Sequence, residues 1–200
     1  MTIQNDLLLR KLDRQQTSRP PIWFMRQAGR YLPDYQILKA KYDFFTRVQT
    51  PELVAEITNM PVDQIGVDAA ILFSDILVIP QGLGMEVQML PGKGPFLPNP
   101  IASASDVDKL SLEACAEFLT YATPCIQATL DDLNGRVPLI GFCGSPWTLL
   151  CYMVEGSGSK NFAKAKAFCL NHPKATAKLL DVVTDACIGF LKQQVAAGVS

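Results

Sequence analysis

Apolar and polar residues alternate along this chain with the periods of helices and of buried strands. The clearest helical period spans residues 173–197, where apolar positions recur every third and fourth residue. Further helices are predicted over residues 3–15, 33–42, 51–65, 110–133, 147–154 and 161–169, with a break near Pro124. Capping signals mark several ends, such as the Thr50 hydroxyl with Pro51 at one start and Gly66 at one end.

Short apolar runs lie between the predicted helices. They span residues 22–25, 68–73 and 137–142, and a weaker alternating run over 84–90 suggests a hairpin arm. Nearly continuous apolar runs are typical of parallel strands that are covered on both faces. A further strand is expected near Val199, after the glycine that ends the last helix. The alternation of helices and buried strands predicts an α/β fold.

Polar or small residues follow two of these predicted strands. Ser74 and Asp75 follow the first, and residues 143–146 follow the second. Active sites of α/β barrels and open α/β sheets lie at the carboxyl ends of their strands. Asp75 is therefore a candidate site residue, although a carboxylate that caps the following turn is an equally good interpretation.

A segment with two arginines lies between the run at 22–25 and the helix predicted from Pro33. Arg26 and Arg30 are four residues apart, and Gly29 stands beside them. Guanidinium groups bind carboxylates through paired donors, and glycine allows a ligand to approach the backbone closely. The segment suits a ligand with several carboxylates. The alternative is that both arginines are ordinary solvated residues of a helix surface.

Composition narrows the classes of function. The 200 residues are 48% hydrophobic and carry a net charge of -1, which indicates one globular domain without general attraction for nucleic acid or anionic membranes. No stretch has the pattern of a signal peptide or is apolar enough to cross a bilayer. Six scattered cysteines indicate core residues in a reducing compartment, and we expect a cytoplasmic protein.

The single histidine limits the possible catalytic chemistry. His172 precedes Pro173 at a predicted helix start, where an exposed turn residue is the favoured interpretation. Zinc sites need clustered cysteine and histidine ligands, and the cysteines include no C-x-x-C pair. We therefore expect no structural metal and no nucleophile activated by histidine.

Three long motifs resemble the uroporphyrinogen decarboxylase family. They are MRQAGRYLP at residues 25–33, DAAILFSDIL at 68–77 and VPLIGFCGSPWTL at 137–149, and YMVEG at 152–156 extends the third. The similarity covers nearly the whole chain from Pro21. It implies a (β/α)8 barrel of which this chain, a single domain over residues 1–200, is the incomplete N-terminal portion.

The resemblance also implies an activity and a set of site residues. Members of the family convert uroporphyrinogen to coproporphyrinogen by removing carbon dioxide from four acetate side chains, as cytoplasmic homodimers without metal or organic cofactor. The residues that correspond to their carboxylate-binding loop are Arg26, Gln27, Ala28, Gly29 and Arg30. Asp75 corresponds to the carboxylate that accepts hydrogen bonds from the pyrroles, and Tyr152 to a tyrosine near the substrate.

The reaction needs a sink for the electrons that departing carbon dioxide leaves behind. Protonation of the pyrrole supplies one, and Asp75 would stabilise the resulting cation. Arg26 is assigned first to carboxylate binding and second to proton donation, because arginine is ordinarily a poor acid. Tyr152 could instead be a buried phenol of the core. Phe73 and Phe142 could form an apolar wall of the site or belong to the core.

The chain differs from the family in two respects, and two other functions are compatible with its sequence. Lys39 stands where the family often has arginine, which keeps the charge but loses the planar fork. A full barrel needs about 250 residues, so we expect this fragment alone to be inactive. The alternatives are a relative of barrel methyltransferases and a fragment that binds polycarboxylate tetrapyrroles without catalysis.

Overall fold

The computed structural model describes residues 2–25, 31–90, 92 and 94–200 and has mixed α/β content. The helices are α1 (Leu7–Leu12), α2 (Pro33–Lys41), α3 (Phe44–Gln49), α4 (Pro51–Ile65), α5 (Val78–Gly82), α6 (Ala104–Val107), α7 (Leu112–Phe118), α8 (Ala122–Leu133), α9 (Pro146–Glu155), α10 (Ala163–Asn171) and α11 (Pro173–Ala196). The strands are β1 (Ala70–Ile71), β2 (Gln88–Leu90), β3 (Gly94–Phe96) and β4 (Leu139–Ile140). Among these described helices, none combines the length and the hydrophobicity needed to cross a membrane.

The described chain forms two compact units. The first comprises the residues up to Ser74 together with 121–142 and 193–200, and the second comprises residues 75–120 and 143–192. The first unit therefore holds β1, β4 and the helices that surround them. The second holds the hairpin of β2 and β3 and most of α11.

Parallel pairing of β1 with β4 forms the sheet of the first unit. Ala70 lies opposite Leu139, and Ile71 lies opposite Ile140. The predicted strands and their parallel direction are confirmed, but each is two residues long, not six. On the other side of β4, the Ser200 N–H donates to the Leu139 carbonyl at 2.8 Å, which agrees with the strand expected near Val199.

Helices α4 and α8 cover this sheet and contact each other extensively. Their buried apolar side chains pack with both strands in one cluster, which includes Val54, Ala70, Leu72, Ile126, Leu133 and Leu139. Burial of this apolar stripe on each helix is the main source of stability for such packing.

In the second unit, α5 packs against α7 and α9, and α10 packs against α9. Strands β2 and β3 pair in antiparallel fashion, with Gln88 opposite Phe96, which confirms the predicted hairpin arm. The end of β3 is held near α9, because the Leu97 N–H donates to the Gly156 carbonyl at 2.7 Å. The helix predicted at 147–154 is confirmed, and the Ser145 hydroxyl caps its start by accepting from the Thr148 N–H at 3.2 Å.

Of two local predictions about helices, one is wrong and one is confirmed. The Thr50 side chain makes no capping hydrogen bond, although α4 starts at Pro51 as predicted and ends at Gly66 in the left-handed conformation. The break predicted near Pro124 is confirmed, and it lies at a 3-10 turn, Leu119–Tyr121, just before the helix that contains this proline. Proline is tolerated there because position 124 lies in the first turn of α8, where no intrahelical N–H bond is needed.

The apolar run at 22–25 is not the buried strand that we predicted. These four side chains are 38–75% exposed, and the chain there has no strand conformation. Hydrogen bonds tie residue 22 to Asp68, and within the described residues no segment pairs with the other edge of this run. Apolar composition alone cannot bury a strand without a neighbour on each side.

Candidate functional site

The two-arginine loop lies outside the described residues. Its predicted site residues are Arg26, Gln27, Ala28, Gly29 and Arg30. The structure describes the chain up to Met25 and again from Tyr31, so it shows how both flanks of the loop are held. Within the first unit, the flank before the loop contacts Asp68, which precedes β1, and the flank after it contacts Phe73, which follows β1.

Asp68 holds the flank that precedes the loop. Its carboxylate accepts both guanidinium donors of Arg19, at 2.6 and 2.7 Å, and the Asn5 amide at 2.8 Å. It also accepts the Ile22 N–H at 2.6 Å, while its own N–H donates to the Ile22 carbonyl at 2.9 Å. The Arg19 guanidinium is the main cause that lowers the pKa of Asp68 to about 2, despite burial that opposes the charge.

A group of three aromatic rings around one arginine holds the flank that follows the loop. The Arg47 cluster consists of Tyr35, Phe44, Arg47 and Phe73. Tyr35 lies in the first turn of α2, five residues after Arg30, and its ring meets the Phe73 ring edge to face at 5.8 Å. The start of α2 is therefore packed against the end of the chain segment that contains β1.

Sequence reasoning missed both Asp68 and Arg47. The apolar pattern identifies Asp68 only as the first residue of a predicted strand, because its partners lie 46 to 63 residues away in the chain. Its bidentate partner Arg19 precedes a proline pair, and nothing in the local sequence there indicates a carboxylate partner. Arg47 lies in the short helix α3, which the pattern did not predict although Asp43 caps it through the Thr46 N–H at 3.0 Å.

Asp75 opens the second unit, four residues after the end of β1. One carboxylate oxygen accepts the Leu77 N–H at 2.8 Å, which is the only hydrogen bond that the described residues give this carboxylate. The capping interpretation is therefore confirmed, and it occupies one oxygen only. Burial raises the pKa of Asp75 above its ordinary value, and the Leu77 hydrogen bond opposes this in part.

A partly buried carboxylate that accepts one backbone hydrogen bond has an oxygen left for a cationic or donating ligand. Ionisation of such a group is unfavourable in free energy in the free protein, and hydrogen bonds donated by a ligand would offset this. The raised pKa is also what functional carboxylates in clefts commonly show.

Tyr152 lies on α9, and its ring contacts Phe162 edge to face at 6.4 Å. It is partly buried, as expected for a phenol between core and surface. Within the described second unit, no hydrogen bond or ring contact joins it to Asp75. Its assignment to the site therefore rests on the resemblance.

The other candidate residues lie as follows. Phe73 belongs to the Arg47 cluster, and Phe142 is partly buried at the end of β4. Lys39 is exposed on α2, and His172 is exposed at the end of α10, where its ring contacts Phe168 at 5.2 Å. All six cysteines are free thiols, and among the described residues no group of three histidine, cysteine, aspartate or glutamate side chains is placed to hold a metal ion.

Comparisons with known proteins extend over almost the entire chain. The family model for uroporphyrinogen decarboxylase (URO-D) matches residues 3–200. The chain is 58% identical, over 98% of its length and 58% of the relative, to the uroporphyrinogen decarboxylase of Christiangramia forsetii. It is 50% identical to that of Schizosaccharomyces pombe, over 98% of this chain and 55% of the relative. The chain thus spans a little over half of these curated relatives.

A solved structure shares the fold at much lower sequence identity. The methyltransferase from Methanosarcina mazei superposes with a TM-score of 0.76 at 18% identity, covering all of this chain and 58% of that one. At 18% identity, this structural similarity is evidence for the fold and not for an activity.

Proposed function

The chain belongs to the uroporphyrinogen decarboxylase family, and on that basis we propose that the complete protein converts uroporphyrinogen to coproporphyrinogen by removing its four acetate carboxyl groups. The observation that carries the proposal is Asp75, a partly buried carboxylate with a raised pKa inside the family motif that follows β1. The complete protein would form a (β/α)8 barrel, of which this chain is the N-terminal portion. The 200 residues alone are expected to be inactive.

The proposed chemistry assigns Asp75 to the pyrrole. Protonation of a ring carbon gives a cation, and cleavage of the bond to the carboxyl group returns its electrons to the ring as carbon dioxide leaves. This step leaves an exocyclic methylene, which becomes the methyl group when it takes up a proton and the ring carbon releases the proton that it had gained. A carboxylate beside the pyrrole N–H groups stabilises this cation more than the neutral ground state. The raised pKa of Asp75 supports this role, because a carboxylate that is poorly solvated in the free protein interacts strongly with a developing positive charge.

The proposed substrate-binding residues are those of the loop. Arg26 and Arg30, with the backbone of Gln27, Ala28 and Gly29, would bind the remaining carboxylates of the substrate. Their charge and their planar donors support this assignment. Arg26 is proposed first as a binder and only second as the proton donor.

Further assignments follow from the family alone. Tyr152 is proposed to lie beside the substrate, and the complete protein is proposed to act as a cytoplasmic homodimer without metal or organic cofactor. Likeness in fold to a methyltransferase does not favour methyl transfer, since one barrel supports many chemistries.

Turnover of the complete protein tests the proposal. Uroporphyrinogen is incubated anaerobically with the purified protein, and the products are separated by their number of carboxyl groups. We expect intermediates with seven, six and five carboxyl groups and then coproporphyrinogen. Binding of uroporphyrinogen by a folded protein without loss of carboxyl groups would favour the alternative of a tetrapyrrole-binding protein and refute the enzyme.

A further inference from the structure

Arg47 is a buried cation that forms no ion pair with a carboxylate among the residues that the structure describes. Its side chain lies on α3 and the residue is 4% exposed. Its guanidinium donates to the Tyr35 hydroxyl at 2.5 Å and to the backbone carbonyls of Tyr42 and Asp43 at 3.2 Å each. Among the described residues, no carboxylate forms an ion pair with it. Within this part of the chain, the contacts of the positive charge are with neutral acceptors and aromatic faces.

The aromatic faces surround this charge on several sides. The guanidinium carbon lies 5.2 Å from the centre of the Tyr35 ring, 5.6 Å from that of Phe44 and 5.9 Å from that of Phe73. Each distance is within the range of cation–π attraction. Burial of a charge is costly, and an apolar side chain of similar length would fill this space without that cost. Packing alone therefore does not account for an arginine here.

The contacts of Arg47 reach two segments that are distant in sequence. Through the Tyr35 hydroxyl it fixes the first turn of α2, just after the two-arginine loop. Through the Phe73 ring it fixes the segment that follows β1, and the Phe73 N–H is further held by the Thr58 hydroxyl of α4 at 2.9 Å. The guanidinium joins these segments by directional contacts that methylene groups cannot make.

We propose that Arg47 is a positioning residue, which sets the flank of the two-arginine loop against the end of β1. This inference rests on the proposed function, because the loop is assigned there to the substrate carboxylates. At 4% exposure Arg47 does not itself reach a substrate. It acts through Tyr35 on the placement of the loop, and small displacements of binding groups have large effects on rate.

The variant Arg47→Met tests this in the complete protein, because methionine fills the space but offers neither charge nor donor. We expect KM for uroporphyrinogen to rise by roughly 10- to 100-fold with a smaller change in kcat. Tyr35→Phe keeps the ring and removes only the hydroxyl acceptor, so it should shift KM in the same direction by less. This second variant also serves if Arg47→Met fails to fold.

Arg136→Met is the matched control. It makes the same substitution in the same unit and removes an ion pair with Asp63 and a 3.1 Å hydrogen bond to the Leu133 carbonyl, without contact to the Arg47 cluster. Its KM should equal that of the wild type. Equal KM values for all three variants and the wild type, with only thermal stability lowered, would overturn the inference.

Hydrogen exchange provides a readout that does not depend on activity. In Arg47→Met, the peptide spanning residues 31–38 should exchange about tenfold faster than in the wild type, and Arg136→Met should leave it unchanged. An equal rate in Arg47→Met would also overturn the inference. Lack of turnover in the wild type would refute the proposed function, while this comparison would still decide the role of Arg47.

Discussion

Replacement of Asp68 by asparagine should destabilise the protein, and by an amount that depends on pH. The carboxylate has a pKa of about 2 in place of its ordinary 3.8. Each unit of pKa difference corresponds to about 1.36 kcal/mol, so the charged carboxylate stabilises the folded state by about 2.4 kcal/mol. Arg19, the main partner, has a side chain that is 47% exposed, so solvent weakens its contribution. We expect a loss of about 2 kcal/mol at pH 7.

The pH dependence separates the charge from the shape of the side chain. A folded-state pKa below the unfolded value stabilises the protein above the unfolded pKa, and this stabilisation is lost as pH falls through the folded pKa. About half of it should remain at pH 3, and little below pH 2. The difference in stability between wild type and Asp68→Asn should shrink accordingly.

Urea unfolding of the complete protein at pH 7, 4 and 3 measures this difference. The matched control is Asp63→Asn, because Asp63 is 52% exposed and pairs with Arg136 at the surface. That variant should change stability by less than about 0.5 kcal/mol at every pH. A cost for Asp68→Asn that is the same at pH 7 and pH 3 would refute the electrostatic reasoning and assign the loss to hydrogen-bond geometry alone.

Three further variants, with four predicted effects, test the site and its support. Asp75→Asn should lower kcat of the complete protein by roughly 100- to 1,000-fold, and unchanged turnover would contradict the assigned role. The same variant should be more stable than the wild type at pH 7 but equal below about pH 3 in urea unfolding, because a raised acid pKa makes ionisation costly as pH rises above 3.8. Arg30→Ala should raise KM with little change in thermal midpoint, whereas a loss of stability alone would indicate a structural ion pair. Gly141→Ala should cost about 1–3 kcal/mol in urea unfolding, because the new methyl group would clash with the Gln194 amide oxygen, and a neutral result would show that Gln194 can move aside without loss.

Local signals predicted much of the helical structure. Pro51 at the first position and Gly66 after the last one predicted the limits of α4, and the helix predicted at 147–154 lies within α9. These signals succeed because capping depends on neighbouring residues in the chain. The short helices α3 and α6 were missed although each has a polar N-cap, because four to six residues are too few for a visible apolar period.

Contacts between segments that are distant in the chain could not be predicted from the sequence. The exposure of residues 22–25 depends on what lies beside them, and the apolar pattern carries no such information. The four donors to Asp68 and the aromatic rings around Arg47 come from segments that only the fold brings together. Asp75 was identified because its position after a strand is a local property, whereas the part of the site on residues 26–30 rests on the family motif.

Just after the end of β4, the backbone of Phe142 forms hydrogen bonds with a side chain and not with a neighbouring strand. The Gln194 amide accepts from the Phe142 N–H and donates to the Phe142 carbonyl, both at 2.9 Å, and the residue is 1% exposed. One side chain thus satisfies both backbone groups that an adjacent strand would otherwise pair. Unpaired groups of this kind are where foreign chains add to a sheet. At Phe142 the backbone is therefore protected from such addition by an interaction that needs no further strand.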